Sequence, residues 1–354
     1  MNIDDFRREI DEIDASILDL LNRRAEKAIA IGRLKEQGET AVFDPARERQ
    51  ILDRIANLNK GPLPNEVLAD IYGAMFAANR LLEKRLSIAY YGPAGTFTHI
   101  AARRKFGAGA DMQPCDAIGD VFLAVEKKYA DLGVVPIENT TAGVVPLTLD
   151  AFAESKLSIC AEIYVDIEHY LLSKEDSLDA IKRVYSHPQA LAQCRLWLRA
   201  NLPSAEVIPT GSTSHAVERA GGEHGSAAVG PILAGELHDV PILRGKIHDE
   251  PDNRTRFVVV GGLAPKPSGV DKTSLLFSVS HKAGALYSAL SVLSDHEINM
   301  TFIQSHPTKQ TPWEYMFFVD VQGHQSDPGL SQALQELRDH TLVLRVLGSY
   351  PEAQ

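Results

Sequence analysis

The chain has 354 residues, long enough for two or three domains. Its 36 Lys and Arg stand against 47 Asp and Glu, and the net charge of −11 argues against a general nucleic-acid surface. With no run near about 18 consecutive apolar residues, a membrane-spanning helix is not expected. From Ile3 to Lys35 there is no proline, and the only glycine is Gly32. Apolar residues recur at Ile3, Phe6, Ile10, Ile13, Ile17, Leu20, Leu21, Ala28 and Ile31, which predicts one long amphipathic helix. At about 100° per residue, Arg24 and Lys35 fall almost at the centre of that stripe, with Arg7 roughly a quarter turn to its side. A single buried cation can snorkel outward or pair with a buried carboxylate. Two on one line, three turns apart, favour a site for a polyanionic ligand.

Asp44-Pro45 starts a second helix, with Asp44 able to cap it and Pro45 suited to its first turn. Its apolar face carries Ile51, Leu52, Ile55 and Leu58, with Glu48 on that face and Arg47 at its margin. After the Gly61-Pro62-Leu63-Pro64 break, a third helix aligns Leu68, Ile71, Tyr72, Met75 and Leu82, with Asn79 and Glu83 on the same face. The three helices are expected to turn Arg24, Lys35, Arg47, Glu48, Asn79 and Glu83 inward together. A plain cap is the simpler reading for Asp44.

Over residues 1–86 this spacing resembles the all-helical chorismate mutase family, in which two protomers intertwine. The resemblance implies that Arg7, reaching across to a partner, Arg24 and Arg47 hold carboxylates. It implies also that Asp44 and Asn79 line the site, Glu48 takes the ring hydroxyl, and Lys35 with Glu83 address the ether oxygen. Such a site works by selecting the reactive conformer of a dianion and stabilising charge on the breaking C–O bond. A glutamate at position 83 donates only when protonated, so either its surroundings must hold the proton in place or mutase activity must favour acid.

Near Arg85 the helical period stops. Strands are predicted at Ile88–Tyr91, Leu132–Val135, Val184–Ser186, Ala227–Val229 and Phe257–Val260, alternating with helices as in an α/β domain. The first four run into turns rich in small and hydroxyl residues: Thr96, Thr98, Asn139, Thr140, Thr141, Ser186, Ser212, Thr213 and Ser214. Each alone reads as a turn or cap residue. Gathered at the carboxyl ends of strands, they predict an anion-binding cleft.

Tyr91-Gly92-Pro93-Ala94-Gly95-Thr96-Phe97, Gly133 to Thr140, Val184 to Gln189 and Asn253-Arg254-Thr255-Arg256-Phe257 together resemble prephenate dehydratase over residues 87–263. That family has two α/β lobes around a cleft, like periplasmic binding proteins, with the last strand returning to the first lobe. The resemblance implies Thr255 as the donor at the leaving ring hydroxyl, and Asn139, Ser186, Gln193 and Thr213 as substrate contacts. Phe257 is either a wall for the ring or a core residue. His187, between Ser186 and Pro188, reads as structural.

Ala264 to Asp271, with Pro265, Pro267, Ser268 and Gly269, reads as a linker. From 272 to 354 the predicted order is βαββαβ: Ser274–Ser280, Gly284–His296, Asn299–Ser305, Glu314–Gln322, Pro328–Asp339 and Thr341–Gly348. This ferredoxin-like α+β unit resembles an ACT regulatory domain, whose paired copies bind phenylalanine. Gly284-Ala285-Leu286 matches its glycine turn. Gln304-Ser305-His306-Pro307 stands where feedback-inhibited relatives carry Glu-Ser-Arg-Pro, which leaves phenylalanine or another amino acid as the ligand. The whole chain thus resembles the bifunctional chorismate mutase/prephenate dehydratases, a fusion in which one product is the next substrate.

Neither reaction requires a metal or organic cofactor, and the expected assembly is a homodimer or larger. A non-catalytic two-lobed sensor and an arogenate dehydratase are the rival readings. Met1-Asn2-Ile3-Asp4-Asp5 has no basic stretch leading into an apolar run, and Cys115, Cys160 and Cys194 lack metal-ligand spacing. The expected location is cytoplasmic.

Overall fold

The computed structural model describes residues 2–37, 41–307 and 315–353. Three helices lead: α1 (Ile3–Gln37), α2 (Pro45–Leu58) and α3 (Asn65–Glu83). Asp44 Oδ1 accepts from Arg47 N at 2.9 Å, which caps α2 ahead of Pro45. α1 is 35 residues long, roughly 50 Å at 1.5 Å per residue. Its second half packs on α3. Its first half leaves the predicted apolar stripe bare, with Ile3 70% and Ile10 55% exposed.

Two lobes follow. The first lobe holds β1 (Ser87–Tyr91), α4 (Phe97–Phe106), β2 (Asp111–Cys115), α5 (Ile118–Glu126), β3 (Leu132–Asn139), β4 (Gly143–Val144), α6 (Pro146–Glu154) and β5 (Ser158–Asp166). The second holds β6 (Tyr170–Leu172), a 3-10 turn at Leu178–Ala180, β7 (Arg183–Ser186), α7 (Pro188–Gln193), α8 (Arg195–Asn201), β8 (Glu206–Pro209), α9 (Thr213–Gly222), β9 (Ser226–Gly230), α10 (Ile232–His238) and β10 (Ile242–Arg244). β11 (Arg254–Gly261) then returns to the first lobe. It inserts antiparallel between β3 and β5, giving the order β2-β1-β3-β11-β5 with β4 on β3. The second sheet runs β10-β6-β9-β7-β8.

The chain crosses between lobes twice, before β6 and before β11. Ile167 N donates to Asn253 O at 2.7 Å and Ile247 N to His169 O at 2.8 Å, binding the two crossings side by side. The lobes are closed. A Cβ on Gly95, whose φ is +88°, would lie 2.8 Å from Ser214 Oγ and 3.0 Å from Ala234 Cα across the cleft. Only glycine fits there.

The last unit is β12 (Asp271–Ser278), α11 (Ala285–Asp295), β13 (Met300–Pro307), β14 (Tyr315–Gln322), α12 (Pro328–Asp339) and β15 (Val343–Pro351), in sheet order β13-β14-β12-β15. The predicted βαββαβ order holds, with Asp271 opening β12 rather than closing the linker. Its helices pack on one face of the sheet, around Leu275, Phe277, Val319 and Val321. The other face joins the first lobe: Leu276, Phe318, Leu347 and Tyr350 share one core with Phe152, Ile159, Val258 and Val260. Gly348 makes that approach possible, because a Cβ there would stand 2.2 Å from Ile159 O.

Buried charge stitches the same interface. Arg256 Nε donates to Glu162 Oε2 at 2.8 Å, its Nη1 to Asp320 Oδ2 at 2.5 Å and its Nη2 to the Tyr350 hydroxyl at 2.8 Å. Lys272 Nζ sits 3.0 Å from both Glu162 oxygens. Two cations face two fully buried carboxylates, with the partly exposed Glu138 at the margin 4.0 Å from Arg256 Nη1, and such pairing is the condition under which burial of charge is tolerated.

Candidate active sites

In the helical unit, Lys35 Nζ lies 3.2 Å from Glu83 Oε2 and donates to Val42 O at 3.3 Å. Arg24 rests its guanidinium 5.6 Å from the Phe76 ring centre. Glu48 is held on two sides, by Arg80 Nη1 and by Lys105 Nζ of α4, the latter at 3.3 Å. The buried Asn79 amide donates to Met75 O at 2.7 Å within its own helix. Lys35, Glu83, Glu48 and Arg24 therefore line the inner side of the helices, as expected. Arg47 is exposed, and Arg7, with Asp4 at 3.3 Å, is 73% exposed. Within one chain these two do not join the group.

Arg80 was not foreseen. It is buried and lies over the rings of Phe43 and Phe106. Its position directly after Asn79 on α3, one turn before Glu83, was the available signal.

The second constellation sits where the two crossings meet the sheet of the first lobe. Thr255 on β11 is paired with Asn139 on β3, beside a register shift at Arg256/Phe257 that re-aims the strand. Asn139 Nδ2 donates to Thr255 Oγ1 at 2.7 Å and to Asn253 Oδ1 at 2.8 Å. Asn139 Oδ1 accepts from Thr141 N, Thr141 Oγ1 and Ala142 N at 3.1, 2.8 and 2.9 Å. The amide of Asn139 is thereby saturated at both ends, which makes it a holder of Thr255. The Thr255 oxygen accepts, and among the described residues its hydroxyl hydrogen has no protein acceptor.

Gln193 reaches this group from α7 in the second lobe: its Nε2 donates to Thr141 Oγ1 at 3.0 Å. Its Oε1 faces His169 Nε2 at 2.8 Å. His169 is 2% exposed, and burial pushes its imidazole pKa down to about 4, so the ring is neutral. Its Nδ1 is buried without a protein partner, as is Asn253 Nδ2. Both are the kind of orphan a ligand or water satisfies. The signal for His169 was a lone imidazole ahead of the apolar run Tyr170-Leu171-Leu172.

The other expected contacts have local partners. Ser186 Oγ donates to Val229 O at 2.5 Å, tying β7 to β9. Thr213, in the first turn of α9, is nearly buried behind Ser212, whose Oγ accepts from His215 N at 3.1 Å. Ser214 Oγ donates across the cleft to Ala94 O and lies 3.0 Å from His238 Nε2. Phe257, 2% exposed, packs in the core with Tyr90, Val134 and Ile163, the second of its two readings. His187 Nδ1 accepts from Gln189 N at 3.3 Å and caps α7.

Three family models match in tandem: chorismate mutase type II over residues 6–84, prephenate dehydratase over 88–264 and the ACT domain over 273–339. A bifunctional chorismate mutase/prephenate dehydratase of Aquifex aeolicus is 47% identical over 353 residues, 99% of this chain and 98% of its own. The chain belongs to the bifunctional chorismate mutase/prephenate dehydratase family. The Neisseria gonorrhoeae member is 44% identical over 98% of this chain and 96% of its own. The structure of a prephenate dehydratase from Arthrobacter aurescens in complex with L-Phe aligns at TM-score 0.70 and 33% identity, covering 75% of this chain and 90% of that one. As a member of the family, this enzyme converts chorismate to prephenate, an isomerase step, and prephenate to phenylpyruvate, a lyase step of phenylalanine biosynthesis.

In the ACT unit Gly284 (φ +81°) precedes α11, and Ala285 and Leu286 border a cavity of about 350 Å³ shared with Val279, Lys282, Tyr315 and Phe317. Gln304 Nε2 donates to Ser305 O at 2.8 Å. His306 Nε2 lies 2.7 Å from Asp150 Oδ1 on α6 of the dehydratase lobe. Phe302, Gln304 and His306 alternate onto the sheet face that meets this lobe, whereas α11 covers the opposite face. Ser305 and Pro307 are exposed. Among the described residues no helix is long and apolar enough to cross a membrane.

Proposed function

We propose that Thr255 is the donor at the ring hydroxyl of prephenate. The carrying observation is that Asn139 fills the oxygen of Thr255 at 2.7 Å, leaving the hydroxyl hydrogen for a ligand. In the reaction the C–C bond to the carboxylate breaks, its electron pair completes the aromatic ring, and the C–O bond breaks. Negative charge grows on the departing oxygen, and a fixed donor stabilises it. An alcohol is a weak acid, so Thr255 acts by hydrogen bonding, and solvent supplies the proton that completes water.

For the mutase, Lys35 and Glu83 address the ether oxygen of chorismate, Glu48 the ring hydroxyl, and Arg24 and Arg47 the carboxylates. Asp44 and Asn79 support the helices that carry them. The exposed apolar stripe of α1 supports a homodimer in which that face is covered and Arg7 enters the partner's site. The ACT unit binds phenylalanine or a related amino acid at the Gly284–Leu286 turn with the 304–307 segment of a second copy. A cytoplasmic location accords with the three free thiols.

Because Lys35 and Thr255 occupy different folding units, single substitutions separate the activities. Lys35→Ala abolishes the mutase reaction and spares dehydration of supplied prephenate. Thr255→Ala does the reverse, so prephenate accumulates from chorismate. Loss of both activities in a folded Lys35→Ala protein would overturn these assignments.

A further inference from the structure

Four hydrogen bonds join His169 to Thr255, and every donor in them points the same way. The Gln193 side chain fixes the direction. Its Nε2 must donate to Thr141 Oγ1 at 3.0 Å, so its Oε1 accepts from His169 Nε2 at 2.8 Å. That assigns the imidazole proton to Nε2. Thr141 Oγ1, having accepted from Gln193, donates to Asn139 Oδ1 at 2.8 Å, with Asn253 Oδ1 farther away at 3.5 Å. Three donors on Asn139 Oδ1 fix that amide in turn, and its Nδ2 donates to Thr255 Oγ1 at 2.7 Å.

From this geometry we infer that His169, Gln193, Thr141 and Asn139 form a polarising relay that strengthens the hydroxyl of Thr255 as a hydrogen-bond donor. The inference rests on Thr255 being that donor. Each bond raises the donor strength of the next group, by about 10–30% per bond in condensed-phase estimates. No proton travels along it, since two of its links are amide N–H groups. His169 and Thr141 are thus positioning residues for dehydration, acting through Asn139.

The relay also crosses the cleft. Thr141 and Asn139 belong to the first lobe, Gln193 to α7 of the second and His169 to the crossing between them. It is complete only when the lobes are closed, so closure over the substrate and activation of Thr255 are one event.

The test uses the full-length enzyme and steady-state dehydration of prephenate, with mutase turnover of chorismate as the control for an intact protein. Thr141→Val, which removes both links of that hydroxyl at constant shape, should lower dehydratase kcat about tenfold with KM changed less than about threefold. Thr141→Ser should restore most of it. His169→Leu should lower kcat similarly and His169→Gln, which keeps a donor, less so. In the double variant Thr141→Val/His169→Leu the loss should be no greater than in either alone, because one broken link already disables the relay. A rise in KM at unchanged kcat, equal losses for Thr141→Val and Thr141→Ser, or additive losses in the double variant would each overturn the relay. Thr255→Val separates the two levels. If it retains dehydration, the donor assignment itself falls. If it loses dehydration while Thr141→Val does not, only the relay falls.

Discussion

Arg256 Nη1 lies 2.5 Å from Asp320 Oδ2, a bond that joins the strand of Thr255 directly to the ACT sheet. Asp320 is fully buried and also accepts from Ser274 Oγ at 2.5 Å. Arg256 follows Thr255 in sequence, so its side chain leaves the opposite face of β11. The regulatory unit thereby grips the back of the strand whose front carries the dehydratase donor.

Asp320→Asn leaves Arg256 and Lys272 facing Glu162, with only the partly exposed Glu138, 4.0 Å from Arg256, to offset the second buried charge. The expected cost is about 3–5 kcal/mol. Scanning calorimetry should show a fall in the midpoint of the transition that includes the ACT unit. An unchanged thermogram would show that the cluster contributes no stability.

Glu83→Gln should retain mutase activity, because an amide N–H can still donate to the ether oxygen, whereas Glu83→Ala, which removes the group, should lose it. Equal mutase kcat/KM in Glu83→Gln and Glu83→Ala removes Glu83 from this role.

His169 makes stability depend on pH. Its folded pKa of about 4 is below the unfolded value of about 6.5, so between these values the unfolded chain binds a proton that the folded chain does not. Stability is full above that window and falls as pH drops through it, by at most about 3 kcal/mol. Comparing Tm at pH 7 and pH 5, the drop should be smaller in His169→Gln. Equal drops in both proteins would contradict a buried neutral imidazole.

Phenylalanine should inhibit dehydration only weakly. A bound amino acid carries both an ammonium and a carboxylate, and Gln304 presents a neutral amide where the feedback-inhibited pattern has a carboxylate. His306 is committed to Asp150 at 2.7 Å. Replacing charged partners by neutral ones costs on the order of 1–2 kcal/mol, so Gln304→Glu/His306→Arg should tighten inhibition roughly five- to thirtyfold. Half-inhibition of the parent enzyme at micromolar phenylalanine would refute this.

Local periodicity sufficed for the three opening helices, for the strands Ile88–Tyr91, Val184–Ser186 and Ala227–Val229, and for the βαββαβ order of the last unit. Those signals depend on near neighbours in sequence, and the capping Asp44-Pro45 pair is of the same kind. β5 escaped notice because Glu162 interrupts Ser158–Asp166 with a charge. A buried carboxylate in mid-strand is stable only because Arg256 and Lys272 arrive from 94 and 110 residues away. β2, β6, β8 and β10 are short or polar, and their neighbours in the sheets supply what their own sequences lack. Thr255, Asn139 and Gln193 could be named from their motifs. That Asn139 spends both ends of its amide on the protein, that Ser186 is occupied by Val229, and that Phe257 is core could not. Hydrogen-bond saturation is a property of how distant segments pack, and the closing of two lobes around His169 decides it.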